Sequence, residues 1–246
     1  MNDHSCTASD AGEENVEEAL NRLRQLEARY SAQEDARAIF TGAYVVITAA
    51  MQEALNAGRF LDGAWVERYL TAFARLYLEA AHQYETDLEL GTGAAPAAWQ
   101  IAFETCRHFN VSPLVHLLLG INAHVNRDLA VALVQAGISE RLHERYEDHT
   151  RVNDVLSEAV NALQARVTSS TPSLARLDGV MGHWDEQVAC RTVAWARELA
   201  WSQAVRLTRV HGALYDQHLE RMERRAYQYA LIIRGRAVML SEQSDR

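Results

Sequence analysis

Apolar residues recur along this chain at intervals of three and four, and hardly any segment alternates with period two. That spacing gathers them on one side of a helix and predicts an all-α protein. From Glu13 to Gln33, Leu20, Leu23 and Leu26 stand among charges, the pattern of a surface helix. A more apolar helix over Asp35–Ala57 puts Phe40, Tyr44, Ile47 and Met51 on one face and stops at Gly58. Asp62 is placed to cap a third helix from Ala64 towards Leu88, whose stripe of Trp65, Tyr69, Phe73, Leu76 and Tyr77 is expected in the core. After the loop Gly91–Pro96, a fourth helix carries Trp99 and Phe103 and runs to Phe109.

The most apolar run follows. Ser112 before Pro113 pairs an N-cap with a proline at the first helical position, and the helix it opens is expected to end near Gly137. Inside that run lie His116, Asn122, His124, Asn126 and Asp128. Burying such groups is costly unless they are paired or bind something, so this helix is the first place to look for a site. Beyond it, Ser139–Asp148 reads as a polar helix or turn, Val152–Val167 as helix, and Thr168–Pro172 as a loop. From Leu174 to Arg236 the pattern is helical almost throughout, with breaks expected at Gly179, Gly182 and Gly212. The expectation is a single-domain bundle of about eight to ten helices around a buried central helix. It spans residues 13–246, behind a disordered tail over residues 1–12.

Composition narrows the chemistry. A net charge of −9 speaks against a nucleic-acid-binding surface. The chain has no lysine, which excludes a phosphate-loop lysine, a Schiff-base enzyme and a lysine general base. Cys6, Cys106 and Cys190 are odd in number and far apart, so no disulfide framework is expected. No signal peptide and no apolar run long enough to span a bilayer is read, and the expectation is a cytoplasmic protein, with oligomerisation left open.

Three groups of residues could carry chemistry. His116, Gly120, His124 and Asp128 are spaced by four on one side of the central helix, so His124 and Asp128 can share a metal or simply bond to each other. Asn122 and Asn126 lie on another stripe and are expected to serve packing. In the second group His149, Asn153, Ser157 and Asn161 form a row. Its oxygen donors suit Mg²⁺, and the histidines shift the preference towards Zn²⁺ or Mn²⁺. The plainer alternative is a helix start capped by Asn153 or Asp154. The third group is Arg191, Trp195, Arg197, Glu198 and Trp201, where arginines on an apolar helix could clamp a phosphate, or Arg191 could stack on Trp195 beside a salt bridge to Glu198. His116 joins Arg191, Arg197 and Trp195 as a candidate substrate contact. Glu85, Asp87 and Glu89, and likewise His143, Glu144, Glu147 and Asp148, read as solvated faces.

The run Leu119-Gly-Ile-Asn-Ala-His-Val-Asn-Arg-Asp-Leu129 resembles the Leu-Gly-Met-Asn-Ala-His-Ile-Asn-x-Asp-Leu signature of a bacterial family of unknown function. Looser similarity extends to Phe60-Leu61-Asp62, Pro96-Ala-Ala-Trp99, Val152–Leu156 and Arg197–Trp201; it implies an all-α fold and no particular activity. Asn153-Asp154-x-x-Ser157 is similar to part of the second metal motif of class I terpene cyclases, although Asn161 stands where that motif ends in Glu and no Asp-Asp-x-x-Asp is present. His124-x-x-x-Asp128 looks like a ligand pair of zinc-dependent phospholipases C and single-strand nucleases.

The resemblances imply a metal-dependent enzyme acting on a prenyl diphosphate, with His124, Asp128, Asn153 and Ser157 on Mg²⁺ and Arg191 and Arg197 on the diphosphate. The alternatives are a zinc phosphodiester hydrolase using His124, Asp128 and His149, and a cofactor-free cyclase or binding module for an apolar small molecule.

Overall fold

A capping box opens the first helix: Asn15 accepts from the Glu18 amide while Glu18 accepts from the Asn15 amide, at 2.9 and 3.1 Å. This helix, α1 (Val16–Ala32), lays Leu20 and Leu23 on α2 (Arg37–Asn56) and α3 (Gly63–Leu90). Glu85 of α3 ties the three together, accepting from Arg29, Tyr30 and Arg37. The computed structural model describes residues 15–91, 95–108, 111–166 and 186–244, leaving aside the side chains of 161–166, 186–190 and 236–244. The expected tail, the loop over 168–172 and the breaks at Gly179 and Gly182 lie outside the described residues.

Asp62 caps α3 as its position predicts, accepting from the Trp65 amide at 3.1 Å. The next helix, α4 (Ala97–Thr105), ends earlier than the pattern predicts. Ser112 and Pro113 then start the central helix, with the Ser112 hydroxyl accepting from the Leu114 amide at 3.3 Å. It is not uniform: α5 (Pro113–Ala123) passes into a π-turn (His124–Asp128) and resumes as α6 (Leu129–Gln135). It is packed by α2, α3, α4 and the two C-terminal helices, α8 (Glu186–Leu207) and α9 (Ala213–Ser244). All the described secondary structure is helical.

Two boundaries differ from the sequence reading. The polar stretch before Asp148 and the helix expected from Val152 are one continuous helix, α7 (Leu142–Arg166), so Asn153 and Asp154 lie mid-helix and cap nothing. Asp148, expected on a solvated face, is fully buried and accepts from the Leu61 and Asp62 amides, both at 2.7 Å. An acid among charges looks solvated in sequence, whereas here it holds the turn before α3. Two helical stretches, Arg37–Asn56 and Pro113–Gln135, do reach the length and hydropathy of a membrane span, contrary to the expectation. Both supply core: half of the first apolar window and 61% of the second is buried inside the protein.

Candidate functional site

The π-turn sits where the polar residues of the central helix are concentrated. The Leu129 amide donates to the His124 carbonyl, five residues back, so one turn is wider than its neighbours. Within it His124 Nδ1 lies 3.2 Å from Asp128 Oδ2, and the same oxygen accepts from Trp99 Nε1 at 2.8 Å. Oδ1 accepts from Arg127 Nη1 at 2.7 Å, and Arg127 also reaches Glu223 on α9. Asp128 is fully buried, with donors on both oxygens.

His124 is held as tightly by rings. Its imidazole stacks on Phe73 with centroids 3.5 Å apart and planes 6° from parallel, and Tyr44 meets it edge-on at 4.5 Å. Burial lowers its pKa, against the pull of Asp128 in the other direction. It is therefore neutral at pH 7, with Nδ1–H directed at Asp128 and a lone pair on Nε2. Nε2 is buried and has no hydrogen-bond partner among the described residues.

His124 forms part of the wall of a cavity of about 370 Å³. Phe40 and Tyr44 of α2 and Tyr69 and Phe73 of α3 make its aromatic side, with Met51 beside them, and Leu117 and Ile121 of the central helix make another. The remaining wall comes from α7 and α8: Val152, Asn153, Leu156 and Ser157 face Arg191, Ala194 and Arg197. No carboxylate lines it among the described residues. Arg197 is only 3% exposed; its Nε donates to Asn153 Oδ1 at 2.7 Å, Nη1 to the Tyr69 hydroxyl at 3.2 Å, and Nη2 to the His149 carbonyl at 2.9 Å.

The structure thus brings His124, Asn153, Ser157, Arg191 and Arg197 to one cavity and leaves the other candidates elsewhere. Asp128 stands behind His124, away from the cavity wall. His149 is fully buried against Trp201 and beside Arg197, with its pKa well below the ordinary value from burial and from that neighbouring charge. His116 is buried with Nδ1 3.5 Å from Cys106 Sγ, a thiol whose own burial pushes its pKa up to about 12. Trp195 is 63% exposed and does not line the cavity, and Glu198 accepts from Tyr146 at 3.0 Å. Asn161 has no described side chain. The asparagines behave as packing groups: Asn122 donates to the Ala226 carbonyl of α9 at 2.8 Å and accepts from Asn126 at 2.9 Å.

These donors fit a cation poorly. Both Asp128 oxygens and the Asn153 oxygen already accept hydrogen bonds, and a guanidinium lies beside Asn153 and His149. No three His, Cys, Asp or Glu side chains gather in a metal-binding arrangement among the described residues. The aromatic wall from α2 and α3 was legible only as core, because the same stripe serves a core and a cavity lining equally well.

Three buried imidazoles, those of His116, His124 and His149, have lowered pKa values with desolvation as the leading cause. In the unfolded chain they take up protons below the ordinary value of 6.5. Below that point the unfolded state binds more protons, so stability is complete above it and falls as pH drops towards the folded-state values. Thermal melts from about pH 8 to about pH 5 are expected to show a flat upper limb and a declining lower one. A melting temperature unchanged to the lower limit would contradict neutral burial.

The fold and site together define a class: an all-α protein whose central helix is interrupted by a π-turn and borders an apolar, aromatic-sided cavity. The chain belongs to DUF5995, a family of unknown function whose family model matches residues 16–235. No curated protein and no solved structure matches it.

Proposed function

We propose that this chain binds an apolar small molecule in the cavity between α2, α3, the central helix, α7 and α8. The supporting observation is the cavity itself, about 370 Å³ with aromatic and aliphatic walls and few polar groups. A space of this size is wide enough for a small molecule, and ligand sites characteristically combine such apolar walls with a few placed polar atoms. The neutral dye Nile red tests it. Saturable binding to the wild type is expected, falling at least about tenfold in Ala194→Trp, which puts an indole into the space. No binding to the wild type, or equal binding to both, would sink the reading.

The His124–Asp128 pair favours a second reading on the same cavity, in which the bound molecule is also transformed by proton transfer without a metal. Asp128 fixes the tautomer and burial keeps the ring neutral, so Nε2 carries the lone pair that a general base needs once a ligand is seated against the ring. Incubation with 2-decanone in heavy water measures this directly. Deuterium uptake at the carbons next to the carbonyl is expected to be faster with wild type than with His124→Phe by about a hundredfold or more. Equal uptake leaves binding as the whole function.

A further inference from the structure

The α7–α8 side of the cavity holds a charge whose counter-charge is missing among the described residues. Other inward-facing guanidiniums among the described residues meet carboxylates: the half-buried Arg37 meets Asp35 and Glu85, and the buried Arg145 meets Asp62 and Glu140. Arg197 is as buried as Arg145, yet its described partners are an amide oxygen, a phenol, a carbonyl and a neutral imidazole. Two acids beside it are occupied elsewhere: Glu198, next to Arg197 in sequence, accepts from Tyr146, and Asp148, next to its partner His149, accepts from two backbone amides. A buried charge is costly unless an opposite charge joins it.

The same residue lines the cavity. Once Tyr69 is served, Nη1 has a second N–H left to give, and the Tyr69 hydroxyl, accepting from Arg197, keeps its own hydrogen for another acceptor. Asn153 and Ser157, each with a side-chain donor, belong to the same wall, and Arg191 adds a second, exposed positive charge. This is a set of donors around a fixed cation, with no acid in the described wall, and it faces an aromatic chamber. We propose that the cavity's ligand is an amphipathic anion, its carboxylate or phosphate-monoester head received by Arg197 and its apolar body lying along Phe40 and Phe73. The proposal rests on the reading of the cavity as a binding site and adds the chemical class of what it binds. Arg197 then acts on the ligand as a charge-assisted donor, and the neutral groups around it orient the guanidinium instead of cancelling it.

Calorimetric titration of the full chain near neutral pH with decanoic acid, decyl phosphate and decanol decides it. At least one anion is expected to bind about tenfold or more tightly than the alcohol, and the tighter of the two identifies the head group. Arg197→Gln is expected to bring the anions down to the alcohol's affinity while leaving decanol within about twofold of wild type, which also shows that the cavity is intact. Equal affinity for acid, phosphate and alcohol in the wild type overturns the proposal while leaving apolar binding standing. Absence of binding by all three overturns both. A preference that survives Arg197→Gln likewise overturns the role of Arg197. Should that variant fail to fold, the exposed Arg191→Gln is expected to weaken the anions several-fold and decanol not at all, and unchanged anion affinity would count against the proposal.

Discussion

Asp128→Ala is expected to destabilise the protein by about 3–5 kcal/mol, measured as a lowered midpoint in urea with an unchanged slope. The carboxylate is wholly inside the protein and serves donors from three side chains: Trp99 at 2.8 Å, Arg127 at 2.7 Å and His124 at 3.2 Å. Truncation strands the indole N–H and the imidazole N–H in surroundings without a replacement, and each stranded donor costs about 1–3 kcal/mol. Arg127 loses less, because Glu223 still holds it at 3.0 Å. That difference separates the alanine from the asparagine variant. In Asp128→Asn the amide oxygen can stay with Trp99 and His124 while the amide nitrogen turns to Arg127, the one donor with another acceptor. A loss clearly smaller than for alanine is expected. If Asp128→Ala costs less than about 1 kcal/mol, the carboxylate is not the hub that its distances imply.

The same pair shows how far the sequence could be read. His124 and Asp128 at a spacing of four already predict a contact, and Asp62 and Ser112–Pro113 predict two helix starts, because each signal is local: cap, spacing and hydrogen bond lie within one turn. The π-turn leaves no such mark, since nothing in the letters from His124 to Asp128 separates it from an α-turn. The meeting of Arg197 with Asn153 and Tyr69 spans three helices far apart in sequence, and no periodicity within one helix reports which faces will oppose each other. Asp148 defeats the local pattern for the opposite reason. Its neighbours are charged, so the local pattern says surface, while its partners are backbone amides from a distant turn that sequence does not display.

Gly120→Ala offers the sharpest contrast between local preference and packing. In an exposed helix, alanine for glycine is stabilising by about 1 kcal/mol, and Gly235 of α9 meets that description, with nothing within 4 Å of the position a Cβ would take. Gly235→Ala is therefore expected to raise the melting temperature slightly. At Gly120 the same methyl would stand 2.3 Å from Phe40 Cδ2, 2.4 Å from Cγ and 3.0 Å from Cβ. Turning the ring cannot clear it, because the Phe40 Cβ is itself too close and the ring is wedged against Tyr77 at 5.1 Å and Trp99 at 5.4 Å. The backbones of α2 and α5 must separate, and overpacking of this kind costs about 1–3 kcal/mol, which exceeds the helical gain. Gly120→Ala should thus lower stability where Gly235→Ala raises it. Since Phe40 and Tyr44 also line the cavity, Gly120→Ala should weaken Nile red binding while Gly235→Ala leaves it unchanged. Parallel melts and dye titrations of the two variants check both signs at once. A stabilised Gly120→Ala with normal binding would mean that α2 can withdraw freely, and that the close approach of Phe40 to the central helix does not shape the cavity.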